Sequence, residues 1–375
     1  MAANSTLLPS QDFREALRRR GGEAASRCYQ CATCSGVCEL APDEAPFPRR
    51  LMLWAQWGLA DRLAADPAVW LCHQCNDCTV HCPRDAKPGD VVQVIRALVI
   101  EKLAFPSLLG RLVGAARSSW LLLLGLPIAF WVALLAATGH LAVPAGLPQN
   151  WAYEQLVPHL FIYSVFFPVA AWVILAAGVS GWRFWDLLAC NGSRQGSFIV
   201  SLWPVLGEIA THKRFGICGT AKPRQLGHLT LMWGFVGAAV TSGLLIVGIY
   251  LQHLAMPLAL SHPYKILGNL SMVLLLIGVA LLVGNRLGDA KVAGASNGFD
   301  TFFLGVVVLV VLTGTAVELT RLMGDASLGL TLYVVHLGVV TSLFLTFPYS
   351  KFAHMLYRTL ALVHVRMTGM DAKLS

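Results

Sequence analysis

The sequence predicts an all-α protein in two parts: a water-soluble helical segment, then a bundle of six membrane-spanning helices. Three observations predict it. The 375 residues are 56% hydrophobic and 13% charged, against roughly 45–50% and about 25% in an ordinary soluble domain. After residue 107, six apolar stretches each approach the roughly 20 residues that a spanning helix needs. Before it, apolar residues recur at helical spacing and no alternating strand pattern is found. The net charge of +8 raises the question of nucleic acid. The basic residues, however, sit at the ends of apolar segments, where membrane topology accounts for them.

The soluble part is residues 1–107 and holds eight of the ten cysteines. Helices are expected at Asp12–Arg20, Phe47–Leu63 and Gly89–Leu103. The start, MAANSTLLPSQDFREALRRR, lacks the pattern of a cleavable leader, so this part is expected in the cytoplasm, where thiols are kept reduced. Phe105-Pro106 ends the third helix and SLLGRLVGAARSS leads to the membrane. The membrane part, 108–375, should span at about 118–138, 159–181, 227–252, 264–285, 300–320 and 328–350. Arg183, Arg194, Lys213, Arg214, Lys222 and Arg224 crowd the 182–225 loop, and Lys351, Arg358, Arg366 and Lys373 follow the sixth span. The stretches 139–158 and 253–262 have neither Lys nor Arg. The positive-inside rule then places the cysteine segment, the 182–225 loop and the C-terminus on the cytoplasmic side of a cell's inner membrane.

Two cysteine runs, RCYQCATCSGVCEL and CHQCNDCTVHCP, share the spacing C-x2-C-x2-C-x3-C. That spacing wraps cubane 4Fe–4S clusters, and in two-cluster ferredoxins the fourth cysteine serves the other cluster. By that analogy Cys28, Cys31, Cys34 and Cys82 hold one cluster, and Cys72, Cys75, Cys78 and Cys38 the second. Paired zinc sites, which favour separated CxxC knuckles or mixed Cys and His, match less well. His73 and His81 read as bystanders, Cys190 and Cys218 as isolated, and His140 and His364 as surface residues. The 33 residues between Cys38 and Cys72 exceed a minimal ferredoxin and contain the amphipathic run FPRRLMLWAQWGLADRL, which suits an α-helical ferredoxin serving as a relay.

Ionisable residues within a membrane are costly and are functional hypotheses by default. His336 lies inside the sixth span and His354 just past its cytoplasmic end. Their 18-residue separation is five turns, roughly 27 Å, with both on one helix face unless Pro348 kinks it. In the third span His228 and His253 likewise share a face. Two b-type haems between facing helices fit this pattern. His228 pairs with His354 on the cytoplasmic side, and His336 pairs with an outer histidine: His253 first, with His262 and His159 as rivals. Quinone chemistry needs a proton partner, for which Glu318, Glu208 and His212 are candidates.

With these residues in view, the two-cluster segment resembles the C subunit of heterodisulfide reductases. FIVSLWPVLGEIATHKRFGICG, RQLGHLTLMWGF and HPYKILGN are similar to haem-b subunits of the nitrate reductase gamma and heterodisulfide reductase E type. The fusion of both parts in one chain resembles the C subunits of quinone-interacting membrane-bound oxidoreductase (Qmo) complexes. The resemblance implies a conduit between quinone, such as menaquinone, and the cytoplasmic flavin and iron–sulfur A and B subunits, which work with adenylylsulfate (APS) reductase in sulfur metabolism. It also implies haem roles for His228, His336 and His354. One departure stands out: the family's second histidine, ten residues after the first, is here Ala238. Also open are a heterodisulfide reductase-like complex and a passive membrane anchor for the ferredoxin segment.

Overall fold

The computed structural model describes residues 8–42, 45–218, 222–288, 294 and 297–370. Among them the chain is helical throughout, with no strand. Lys373, counted above in the basic tail, lies outside the described residues.

In the cysteine segment, α1 (Gln11–Leu17), α2 (Arg49–Trp57) and α3 (Ala60–Ala65) lean on α4 (Pro88–Leu103). Proline at the first position of α4 costs no hydrogen bond, because that N–H has no partner inside a helix. Its Val91, Val92, Ile95 and Ile100 are all buried. Ser10 caps α1, its Oγ accepting from the Phe13 N–H at 3.1 Å. The single helix expected over Phe47–Leu63 is in fact two. Gly58 turns the chain in the left-handed region, φ 71°, and a Cβ there would lie 2.8 Å from the Ser10 carbonyl. The Ser10 N–H donates to the Gly58 carbonyl at 2.9 Å, so the break also ties α1 to α2.

Among the described residues, six helices are long and apolar enough to cross a membrane. The first ends in α5 (Leu126–Ala137) and the second is α6 (His159–Leu188). A shorter helix, α7 (Phe198–Thr211), precedes α8 (Lys222–Tyr250), α9 (Pro263–Leu287) and α10 (Gly298–Met323). The sixth span starts as α11 (Ala326–Thr346), breaks at a 3-10 turn over Phe347–Tyr349, and resumes as α12 (Ala353–Thr368). Small residues let α8 and α9 approach closely, as in other membrane helix pairs. A Cβ on Gly234 would meet Leu275 at 2.8 Å, and one on Gly278 would meet the Leu231 backbone at the same distance.

The bundle has a near end, against the cysteine segment, and a far end. The basic 182–225 loop is at the near end: Asn191 Nδ2 donates to the Ala65 carbonyl at 2.7 Å. The stretch without Lys or Arg is at the far end, where Tyr153 donates to the Val317 carbonyl at 2.7 Å. The α6 helix runs on past residue 181, burying Phe184 and Leu188 beside Trp70 and Tyr357. Trp70 and Tyr357 stack with centroids 4.9 Å apart. One hydrophobic core therefore joins Val92 of α4, Phe184 of α6 and Tyr357 of α12. This corrects the reading of His364 as a surface residue. It is fully buried in α12, and Arg194 Nε donates to its Nδ1 at 3.1 Å.

Candidate redox centres

The two cysteine loops repeat one backbone. In each, the residues two and four places after the first cysteine lie in the left-handed region: Gln30 (φ 61°) and Ala32 (φ 71°), then Gln74 (φ 56°) and Asn76 (φ 69°). None is glycine, so each loop holds a costly conformation twice. N–H groups approach the sulfurs: Gln74 N–H to Cys72 Sγ at 3.3 Å, and Ala86 N–H to Cys82 Sγ at 3.3 Å.

The thiols gather in crossed sets. Cys82 rings the same hollow as Cys28, Cys31 and Cys34. Burial pushes the Cys34 thiol up to about 11, with Cys28, Cys31 and Cys82 as its charged neighbours. Burial pushes Cys38 up to about 12, and its neighbours are Cys72 and Cys75 of the other motif. Cys78 is raised by burial and then by Cys72, Cys75 and Cys38. Among the described residues no three such side chains converge as ligands of one ion. Thiols spread around a hollow suit a cubane better than a tetrahedral zinc ion, whose ligands all sit within about 2.3 Å of one point.

The second loop is gripped by arginines from three helices. Arg96 of α4 donates to the carbonyls of Val69 (2.7 Å) and Cys72. Arg224 of α8 donates to those of His73 (2.9 Å) and Gln74. Arg358 of α12 donates to Trp70 (2.9 Å) and Cys72 (2.8 Å), and to His73 Nδ1 at 3.1 Å. Burial, then Arg358, pushes His73 well below the ordinary imidazole range. Its ring lies 5.1 Å from Phe215, which lies 6.4 Å from the rings of both His212 and His228. Cys218, read from sequence as isolated, is buried with its thiol donating to Cys75.

A cavity of about 1390 Å³ starts beside Trp70 and His73 and reaches Glu154 and His159 at the far end. It exceeds the roughly 300–1,000 Å³ of a usual ligand pocket. Four of its histidines have their tautomers fixed by their partners. His212 Nδ1 lies 2.8 Å from the Ile209 carbonyl, which only accepts, so Nδ1 carries the proton. Burial lowers the pKa of His212, which keeps the ring neutral. Its Nε2, 2.7 Å from His228 Nδ1, must then accept, and His228 donates from Nδ1. His354 Nδ1 donates to the Lys351 carbonyl. The Thr313 hydroxyl donates to the Leu309 carbonyl at 2.6 Å and so accepts from His336 Nδ1 at 2.8 Å. By this logic His228, His354 and His336 each keep a free Nε2 lone pair, the usual state of a metal-binding histidine.

His228 and His354 face each other with ring centroids 5.8 Å apart. Two metal–imidazole bonds of roughly 2 Å plus the half-widths of two rings come to about 6 Å. The donor set and spacing therefore fit a bis-histidine haem. The other expected haem pair is not brought together. His253 lies beyond the end of α8, exposed, in a left-handed turn (φ 52°), and does not line the cavity. His262 caps α9, its Nδ1 accepting from the Tyr264 N–H at 3.3 Å. His159 lines the cavity, but its Nε2 faces Glu154 at 3.6 Å. Glu318 is held by Lys265 (2.6 Å) and Arg321 (3.2 Å), and Glu208 by Arg214, which leaves neither as a free proton carrier. The expected single helix face for His336 and His354 is interrupted by the turn at Pro348.

Sequence reasoning missed the arginine clamp and the contact of His212 with His228. One signal was available for the clamp. Arg224 stands four residues before His228, and Arg358 four after His354, so each pair shares a helix face.

Fold and loops together define a multi-pass membrane protein carrying an iron–sulfur domain. Residues 24–86 match the model of the 4Fe-4S dicluster domain. Residues 111–373 match that of citrate utilization protein B, and the chain belongs to that family. Citrate utilization protein B of Escherichia coli is 27% identical over 90% of this chain and 88% of its own length. The C subunit of the H(2):CoB-CoM heterodisulfide,ferredoxin reductase of Methanothermobacter thermautotrophicus is 36% identical over 23% of this chain. The chain spans about half the length of such proteins, 46% in that case. No solved structure matches the chain.

Proposed function

We propose that the chain carries electrons between a quinone in the bilayer and a soluble flavin and iron–sulfur partner, through two 4Fe–4S clusters and a b-type haem. The observation that carries this reading is the meeting of His228 and His354 at the near end of the cavity, where Arg358 and Arg224 grip the Cys72 loop. Cys28, Cys31, Cys34 and Cys82 hold the first cluster, and Cys72, Cys75, Cys78 and Cys38 the second. His228 and His354 hold the haem, which supplies one-electron chemistry at membrane depth. His212 and the Lys351 carbonyl fix the two imidazoles in the ligating tautomer. The rings of His73 and Phe215 fill the interval between the second cysteine loop and His228. Cys31, exposed at the opposite side of the segment, is where the partner exchanges electrons.

The basic near end supports a cysteine segment on the cytoplasmic side of the inner membrane. The partner is the finer question. Likeness to the Qmo group points to A and B subunits acting with APS reductase. Likeness to citrate utilization protein B over nearly the whole chain favours a partner that acts in citrate use, and we take that as the first reading. A reduced-minus-oxidised spectrum of the purified chain tests the core of the proposal. A b-type band that His354→Ala removes is the expected result; wild-type protein without that band contradicts it. Co-purification from the native host then separates the two partners.

A further inference from the structure

The near half of the cavity has a facing pair of histidines and the far half does not. Among the described residues, the cavity-lining histidines are His73, His159, His212, His228, His336 and His354. His159 is turned to Glu154 and lies against Tyr163, ring centroids 5.6 Å apart. That leaves His336 with no imidazole opposite. Gly314 of α10 abuts the His336 ring. Between 238 and 242, the α8 residues lining the cavity are Ala238, Ala239, Thr241 and Ser242. Both hydroxyls are used inside α8, on the carbonyls of Gly237 and Ala238. An α9 residue, Asn269, also lines the cavity.

This half also opens sideways. Helices α6 and α8 meet at the far tip, where the Tyr163 and Tyr250 rings lie 5.8 Å apart, and their backbones stay apart below it. Phe167 of α6 and Val236 of α8 line the cavity and are 58% and 42% exposed. A molecule dissolved in the lipid can enter there without crossing water.

We infer that the far half of the cavity binds the head group of a quinone entering between α6 and α8. His336 Nε2 accepts from a quinol hydroxyl, and the Asn269 amide, both donor and acceptor, serves the other ring oxygen. The inference rests on the quinone-linked function proposed above and deepens it by giving the substrate a place. It also replaces the second haem with substrate: the Nε2 lone pair that Thr313 secures on His336 meets a quinol hydroxyl instead of iron, because among the described residues no second imidazole lines the cavity opposite it.

The test uses the full chain purified in detergent, and 2-heptyl-4-hydroxyquinoline N-oxide, a quinol analogue whose fluorescence is quenched on binding. Haem per chain is measured on the same samples. The expected result is about one haem per chain in wild type and in His336→Gln, with at least about tenfold weaker analogue binding in the variant, the loss of one good hydrogen bond. Thr313→Val keeps the imidazole but not its orienting partner, and is expected to weaken binding by a smaller factor. It decides the matter if His336→Gln loses its iron through misfolding. Two haems per chain, halved by His336→Gln, overturn the inference, and so does unchanged analogue affinity in both variants. If wild type holds no haem yet His336→Gln still loses the analogue, the pocket stands and the haem reading falls.

Discussion

The two cysteine motifs have the same spacing and the same backbone, but opposite surroundings. In the first, Cys31 is exposed, Tyr29 is 71% exposed, and the Arg84 guanidinium lies 4.1 Å above its ring. In the second, Cys72 and Cys78 are buried and the loop carbonyls are held by Arg96, Arg224 and Arg358. On the proposed reading, identical motifs serve as a surface terminal and an inner relay. The difference is made by helices α8 and α12, far away in sequence. It teaches that the cysteine segment is docked firmly on the cavity mouth: three half-buried cations meet carbonyl oxygens at one loop, where any loss leaves acceptors unpaired.

The largest effect expected comes from cutting one motif at a time. Cys34→Ser and Cys78→Ser should each remove about half of the non-haem iron, leaving the other cluster's electron paramagnetic resonance signal. Cys38→Ser should disturb the second cluster rather than the first, and the reverse result would undo the crossed assignment. Next is His212→Ala, which removes the acceptor for His228 Nδ1; haem retention should weaken about 10–100-fold, as for other supports of a ligating histidine, with both clusters intact. Arg358→Met should lower the potential of the second cluster and leave the first unmoved in a redox titration. It should also cost about 1–3 kcal/mol for each carbonyl left unpaired. Equal shifts in both clusters would erase the contrast. The smallest effect is on Arg84→Glu: oxidation of the first cluster by ferricyanide, an anion, should slow a few-fold at low salt and recover at high salt.

Much of this was legible in the chain. Spacing alone pointed to the 4Fe-4S dicluster domain that residues 24–86 match, because a cubane needs ligands at fixed short steps. Hydropathy found all six spans because length and apolarity are set by the bilayer, and charge placed the basic loop beside the cysteine segment. Ends were less legible. The second span runs to Leu188 and the sixth resumes as α12, since both are extended by packing on the cysteine segment, which no local pattern records. For the same reason His364 was misread: the side of α12 that looks like a tail is a core. His253 failed because helical spacing gives a face but not an end, and α8 stops at Tyr250. Cys218 and His212 lie on a loop brought to the site by tertiary structure alone.

The central claim is that the buried histidine pair is part of the electron path and not of an inert anchor. The direct measurement is reoxidation of chemically reduced clusters by added short-chain quinone, in wild type and in His354→Ala. Wild type should reoxidise rapidly, whereas His354→Ala, with its iron intact, should reoxidise far more slowly. Equal rates in the two proteins would contradict the account and leave the helices as a tether.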